Sequence, residues 1–69
     1  MPYKVKEKIK LSIQRVLAKK KEEGEVLPYA TSIEVALLLK MNAEDVEKIA
    51  QDIEGMVKGR TLNHEYYYE

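Results

Sequence analysis

Few side chains in this sequence are suited to covalent or metal chemistry. His64 is the single histidine and cysteine is absent, so a metal ion would depend on carboxylates around one imidazole. The sequence contains no Cys–His or Ser–His–Asp set with a known signature, and no glycine-rich loop that could cradle a phosphate. We therefore expect His64 to be a surface turn residue and the chain to be no enzyme, with no cofactor, metal or small-molecule substrate.

The charged residues are segregated along the chain, although the net charge is zero. Residues 1–21 contain eight Lys and Arg against Glu7 alone, a net charge of +7. Residues 22–69 contain four cations and eleven acids, a net charge of −7. Such segregation points to nucleic acid or to another charged partner. A lysine-rich helix face exposed to solvent is the plainer interpretation of the same pattern.

An amphipathic helix from about Tyr3 to Glu23 carries most of these cations. Its apolar residues recur with a helical period and should face the core: Val5, Ile9, Ile13, Val16 and Leu17, with Ser12 beside them. Cations flank this stripe on both sides, with Lys6, Lys10 and Lys21 on one side and Lys4, Lys8, Arg15 and Lys19 on the other. Gly24 is placed to end the helix in a left-handed cap.

A short extended segment and a second helix follow. The residues Val26–Tyr29 predict an edge strand or a single bridge, because Pro28 cannot donate to a ladder. Thr31 and Glu34 have the spacing of a capping box, which predicts a helix from Thr31 to about Lys40.

A third helix and a hairpin complete the pattern. Asn42 should cap the third helix and Gly55 should end it. Its predicted buried stripe consists of Val46, Ile49, Ala50 and Ile53. The tail from Met56 onward changes to residues that favour strand, with Asn63-His64 as a two-residue turn.

The order helix, short strand, helix, helix, hairpin resembles the winged helix-turn-helix family over almost the whole chain. The most specific part is residues 35–49: Ala36 would let the third helix cross the second closely, Met41 follows the turn, and Asn42 caps the next helix. Lys40 stands where the family often has glycine, which costs some conformational energy. The resemblance implies one α+β, mostly helical domain over residues 1–69, a small archaeal-type three-helix winged helix-turn-helix with a C-terminal β-hairpin wing.

This resemblance implies binding to double-stranded DNA, as a transcriptional regulator or an architectural factor that acts through the wing, the helix-turn-helix and the basic first helix. The family's base-reading positions fall on Asn42, Ala43, Glu44, Glu47, Lys48 and Gln51. Asn and Gln can read adenine, whereas Lys can read guanine or hold a phosphate. With the wing and the turn included, the candidate DNA-binding residues are Lys40, Asn42, Lys48, Gln51, Lys58 and Arg60.

The register of the hairpin decides which residues share a face of the wing. A turn at Asn63-His64 predicts the pairs Leu62–Glu65, Arg60–Tyr67 and Lys58–Glu69. One face of the wing would then be basic and aromatic. Tyr66 and Tyr68 should pack toward the core on the other face, whereas the role of Tyr67 stays open.

The third helix carries five acids against Lys48 alone, which penalises its approach to phosphates: Glu44, Asp45, Glu47, Asp52 and Glu54. This conflict leaves a second hypothesis open, a winged-helix protein–protein interaction module. Such a module would use the acidic third helix or the basic first helix, and its +7 and −7 halves could also pair two copies into a homodimer.

The sequence also predicts where the protein resides. The longest apolar stretch, Val35–Leu39, is far shorter than the roughly 20 residues that a membrane span needs. The absence of cysteine fits a reducing compartment. We expect a cytoplasmic protein without a membrane partner, and the bias toward Lys and Glu is typical of proteins from hot environments.

Overall fold

Three helices and three strands follow one another in the order that the sequence predicts. The computed structural model describes residues 2–68. The elements are α1 (Pro2–Glu22), β1 (Ala30–Thr31), α2 (Ser32–Leu39), α3 (Ala43–Ala50), β2 (Val57–Arg60) and β3 (Glu65–Tyr68). The strands form one antiparallel sheet in the order β1-β3-β2. The chain is therefore a small, mostly helical α+β protein, as predicted.

The apolar stripe of α1 forms one wall of the core. Ile9 and Ile13 are fully buried and Leu17 is nearly so, which confirms the predicted stripe. Gly24 adopts a φ of +97°, a left-handed conformation that glycine reaches without a steric penalty. Its N–H donates to the carbonyl of Lys21 at 3.1 Å, so the predicted cap is also confirmed.

A tight turn sets the crossing of α2 and α3. Lys40 takes the left-handed conformation at the end of α2, with φ at 55°. The N–H of Met41 then donates to the carbonyl of Ala36 at 2.9 Å. Asn42 caps α3, because its side-chain oxygen accepts from the N–H of Glu44 at 3.0 Å. The predicted bend near Met41 is confirmed.

Residues 26–29 do not form the predicted strand. The edge strand is Ala30–Thr31 instead, and it pairs with β3. Pro28 has no N–H to donate to a ladder, and Val26 and Leu27 are 89% and 87% exposed. The predicted position was wrong, and residues 26–28 form an exposed loop before the sheet.

The end of α3 also differs from the prediction. The helix stops at Ala50, not at Gly55. The N–H groups of Asp52 and Ile53 donate three residues back, to the carbonyls of Ile49 and Ala50 at 3.1 and 3.0 Å, which is the tighter 3₁₀ pattern. Gly55, with φ at +90°, lies in the connection to β2. Ile53 is still buried, so this part of the predicted apolar stripe is confirmed.

The hairpin folds in a different register. Its reversal is closed by the N–H of Thr61, which donates to the carbonyl of His64 at 2.8 Å. The Thr61 hydroxyl donates to the same carbonyl and accepts from the N–H of His64. These bonds place Leu62 and Asn63 at the tip and shift the pairing by two residues. The observed pairs are Val57–Tyr68, Lys58–Tyr67, Gly59–Tyr66 and Arg60–Glu65, and Glu69 lies outside the described residues.

Tyr67 is the tyrosine of the core, which corrects the prediction for Tyr66 and Tyr68. Its side chain is fully buried, and its strand partner Ala30 is small enough to leave room for the ring. Lys58 and Arg60 pair with Tyr67 and Glu65, so these four residues share the face of the sheet that turns toward the helices. Alternation along a strand fixes which residues share a face, but it does not fix which face is buried.

Candidate nucleic-acid interface

Four of the predicted DNA-binding residues lie on the turn and on α3. Lys40, Lys48 and Gln51 are exposed, and within residues 2–68 their side chains form no ion pair or hydrogen bond. Asn42 is exposed too, but its side-chain oxygen is occupied as the cap of α3. The side chains of Lys40, Lys48 and Gln51 are therefore open to solvent.

Lys58, a candidate DNA-binding residue of the wing, has an internal role. Its Nζ donates to the carbonyl of Ile53 at 2.6 Å and to that of Gln51 at 3.3 Å. Carbonyls after a helix end carry partial negative charge and need a donor. Lys58 thus ties β2 to the end of α3.

Arg60 and Glu47 are central to a second internal contact between α3 and the hairpin. Arg60 Nη1 lies 3.3 Å from Glu47 Oε1 and 3.5 Å from Glu65 Oε2. Glu47 also accepts from the Ser32 hydroxyl at 2.7 Å and from the N–H of Glu65 at 3.1 Å. One carboxylate therefore joins the start of α2, the middle of α3 and both hairpin strands.

The ionisation of this region follows from its geometry. Burial raises the pKa of Glu47, but the hydrogen bonds from Ser32 and Glu65 and the charge of Arg60 outweigh it, so the net pKa is lowered from 4.5. Burial, followed by the negative charge of Glu65, raises the pKa of Tyr67, whose hydroxyl donates to Glu65 Oε1 at 3.2 Å. We refer to these side chains as the α3–hairpin network: Ser32, Glu47, Lys58, Arg60, Glu65 and Tyr67.

The solvent-facing charges around α3 are mainly negative. Glu44, Asp45, Asp52 and Glu54 are exposed, against Lys48. Because the hairpin cations are engaged in the α3–hairpin network, they do little to offset this charge. The sequence places Glu47 among the base-reading positions and the acids of the third helix, and no local pattern marks it as the acceptor for groups 15 and 18 residues away.

The first helix presents the opposite charge. Seven of its cations form no ion pair or hydrogen bond through their side chains within residues 2–68. We call these the α1 basic face: Lys4, Lys6, Lys8, Lys10, Arg15, Lys19 and Lys21. Sequence reasoning placed them on the two flanks of the apolar stripe, and the burial of that stripe agrees with this placement.

Lys20 does not belong to the α1 basic face. Its Nζ lies 3.1 Å from Glu34 Oε1, donates to the carbonyl of Tyr29 at 2.5 Å and lies 4.7 Å from the centre of the Tyr29 ring. This contact holds the start of β1 against the end of α1.

Three tyrosines on the outer side of the sheet form a cluster that the sequence analysis did not identify. The rings of Tyr66 and Tyr68 are stacked, with centres 6.2 Å apart and an angle of 15° between their planes. Tyr29 meets Tyr66 edge-on at 5.9 Å. The two-residue spacing of Tyr66 and Tyr68 was the available signal, and it was assigned to the core face instead.

The second helix leaves apolar side chains uncovered. Leu37 and Leu38 are 75% and 61% exposed, and Ile33 is also exposed. A shallow groove of about 430 Å³ lies between the leucines and α1, with Lys19 and Glu23 on its wall. These apolar side chains form an uncovered surface on α2.

The remaining tests for a site are negative. Among residues 2–68, no three His, Asp or Glu side chains are grouped so that they could hold a metal ion. In the same range, no helix is both long and apolar enough to cross a membrane. Comparison of the chain with protein-family models, curated proteins and solved structures finds no match.

Proposed function

We propose that the chain is a nucleic-acid-binding domain of the winged helix-turn-helix type, and that its main phosphate contacts come from the α1 basic face. The order of the elements and the hairpin after α3 support the winged-helix assignment. One observation carries the binding proposal: the cations of the α1 basic face have no acceptor within residues 2–68, whereas Lys58 and Arg60 of the hairpin do. Phosphate contacts by Lys and Arg supply much of the affinity for nucleic acid.

The α1 basic face also works against the stability of its own helix. Like charges four residues apart cost about 0.2–0.5 kcal/mol per pair. The helix contains three such pairs: Lys4–Lys8, Lys6–Lys10 and Arg15–Lys19. A polyanion that binds this face would relieve the repulsion, because it would place negative charge beside each pair.

The length of the α1 basic face matches a short stretch of nucleic acid. Along either flank, from Lys4 to Lys19 or from Lys6 to Lys21, the helix advances about 22 Å, at about 1.5 Å per residue. That distance corresponds to roughly seven nucleotides at about 3.4 Å spacing along one strand. Several phosphates of one strand can therefore meet the cations of one flank together.

Fluorescence anisotropy with labelled 12-nucleotide DNA, both single-stranded and duplex, tests the proposal. We expect binding at low salt that weakens steeply as salt increases, because each neutralised phosphate releases counterions. If neither DNA is bound at tens of micromolar protein and low salt, the proposal is wrong.

Two matched double variants identify the surface. Lys8→Gln/Lys10→Gln removes one cation from each flank of α1 and should reduce the slope of log K against log salt by about 0.7–0.9 for each phosphate that is no longer neutralised. Lys40→Gln/Lys48→Gln removes the same charge from the turn and α3, and it should leave the slope nearly unchanged. The reverse result would assign the phosphate contacts to α3 and contradict the role of α1.

The exposed leucines of α2 favour a second function, that of a protein–protein interaction module. Its partner would be another protein or a second copy of this chain, which would form a homodimer. Sedimentation of the wild type and of Leu37→Gln/Leu38→Gln at low and high salt tests it. A dimer that the variant fails to form at both salt concentrations would support association through α2, whereas a wild-type monomer throughout would remove the homodimer.

A further inference from the structure

A groove of about 560 Å³ lies between the second half of α1, the loop before β1 and the outer face of β3. Its wall is mostly apolar and aromatic, and its one charged side chain is a cation. The wall includes Lys21, Tyr29, Tyr66 and Tyr68, with aliphatic side chains between them. The groove beside α2 has Lys19 and Lys20 as well as Glu23 and Glu34 on its wall, so its charges balance. The charge on the wall of the present groove is positive, which favours an anion there.

The aromatic part of the groove is held in place by its surroundings. A Cβ on Gly59 would collide with the Tyr66 ring, so the ring occupies the space that glycine leaves open. Tyr68 stacks on Tyr66 and is 37% exposed, while Tyr29 is 48% exposed. The groove therefore presents fixed rings that solvent can reach.

The groove lies beside one flank of the α1 basic face. Lys21 is on its wall, and Lys10 lies about 20° from Lys21 around the helix axis, because eleven residues at about 100° each make about 20° more than three full turns. A phosphate backbone that follows Lys10 and Lys21 would pass along the mouth of the groove. A planar ring attached to that backbone could then reach the tyrosines.

We propose that this groove binds an unpaired nucleobase of a single-stranded nucleic acid, stacked against Tyr68 and the neighbouring rings. The inference rests on the proposed nucleic-acid-binding function and specifies its substrate class. Bases within a duplex are already stacked and paired, and removing one from the duplex is costly. Aromatic side chains stack on bases of any sequence, so the site selects single strands without selecting a sequence.

The experiment compares a 12-nucleotide oligothymidylate, an abasic oligomer of equal length and charge, and a 12-base-pair duplex. The oligothymidylate should bind about 5- to 150-fold more tightly than the abasic oligomer, which is the contribution of one stacked base. The chain has five tyrosines and no tryptophan, so quenching of its intrinsic fluorescence reports stacking directly. Tyr68→Leu should abolish the preference for bases, and Tyr68→Phe should retain it.

The cations on the two flanks of α1 allow a second comparison between matched double variants. Lys10→Gln/Lys21→Gln should weaken binding of the oligothymidylate more than Lys8→Gln/Lys19→Gln, which has the same spacing on the opposite flank. Circular dichroism checks that each variant is folded, and Tyr29→Leu provides an independent test of the groove.

The outcomes separate this inference from the proposed function. If the wild type binds the abasic oligomer as tightly as the oligothymidylate, with the same salt dependence, the groove does not bind a base. The proposal that α1 contacts phosphates would still hold. The same equality is expected if a protein segment occupies the groove. If no oligomer is bound, both proposals are wrong. Equal binding of the duplex without dependence on Tyr68 would also overturn the single-strand inference.

Discussion

The α1 basic face and the α3–hairpin network use the same residue types in different ways. In the network, Lys58 and Arg60 lie within hydrogen-bonding distance of carbonyls and carboxylates, and they join two elements of the fold. On α1, seven cations have no such acceptor in the described residues. A cation is structural where the tertiary fold brings an acceptor to it, and it remains free for a ligand where the fold does not.

Glu47→Ala should have the largest effect, and it would break the network. The change leaves the Ser32 hydroxyl and the N–H of Glu65 without their acceptor and removes one of the two carboxylates beside Arg60, in a region where the Glu47 carboxylate is only 15% exposed. We expect a loss of about 2–3 kcal/mol in the free energy of unfolding, measured by urea titration. Glu44→Ala, an exposed acid on the same helix, should change it by less than about 0.5 kcal/mol. Equal effects would show that Glu47 is no more than a solvated acid.

The pH dependence of stability should come from the network. The raised pKa of Tyr67 means that the native state keeps the phenol proton at pH values where the unfolded chain releases it. The stabilisation is therefore complete below about pH 10 and is lost as pH rises further, by up to about 1.4 kcal/mol per pH unit. For Glu47, whose pKa is lowered, the stabilisation is complete above about pH 4.5 and is lost as pH falls.

Urea titrations between about pH 3 and pH 11 measure how the free energy of unfolding falls at acid pH and at alkaline pH, which we call the acid limb and the alkaline limb. Tyr67→Phe should flatten the alkaline limb, and Glu47→Gln should flatten the acid limb. An alkaline limb that is unchanged in Tyr67→Phe would assign the loss to other groups.

A pair of single substitutions should give the smallest effects, and it separates the α1 basic face from the α3–hairpin network most directly. Lys58→Met removes the donor to the carbonyls of Gln51 and Ile53 and should cost about 1 kcal/mol of stability. It should leave the salt dependence of nucleic-acid binding unchanged. Lys10→Met should do the opposite, with stability unchanged within about 0.5 kcal/mol and a smaller salt slope. If both variants change both properties, the division between the two regions is not real.

Features set by a few neighbouring residues were predictable. The caps at Thr31 and Asn42 follow from side chains that bond to N–H groups two or three residues ahead. The left-handed ending at Gly24 depends only on the freedom of one residue. The buried stripes of α1 and α3 follow from helical periodicity, because one apolar face of each helix must be covered.

The candidate site was less predictable. The sequence identified the basic first helix, and the structure leaves seven of its eight cations without partners among residues 2–68, Lys20 being the exception. It also pointed to Lys58 and Arg60, which the structure engages internally. The tyrosine groove was missed because strand alternation grouped Tyr66 with Tyr68 correctly but did not indicate that this pair lies outward.

The order of the elements, their caps and the separation of charge between α1 and the rest of the chain can be predicted from the amino-acid sequence alone. The hairpin register, the burial of Tyr67 and the partners of Glu47 depend on how the elements pack together. The reason is the range of the forces involved. A cap or a helical stripe depends on residues within a few positions of one another, whereas Glu47 meets Ser32 and Glu65 across 15 and 18 residues, and only the folded chain brings them together.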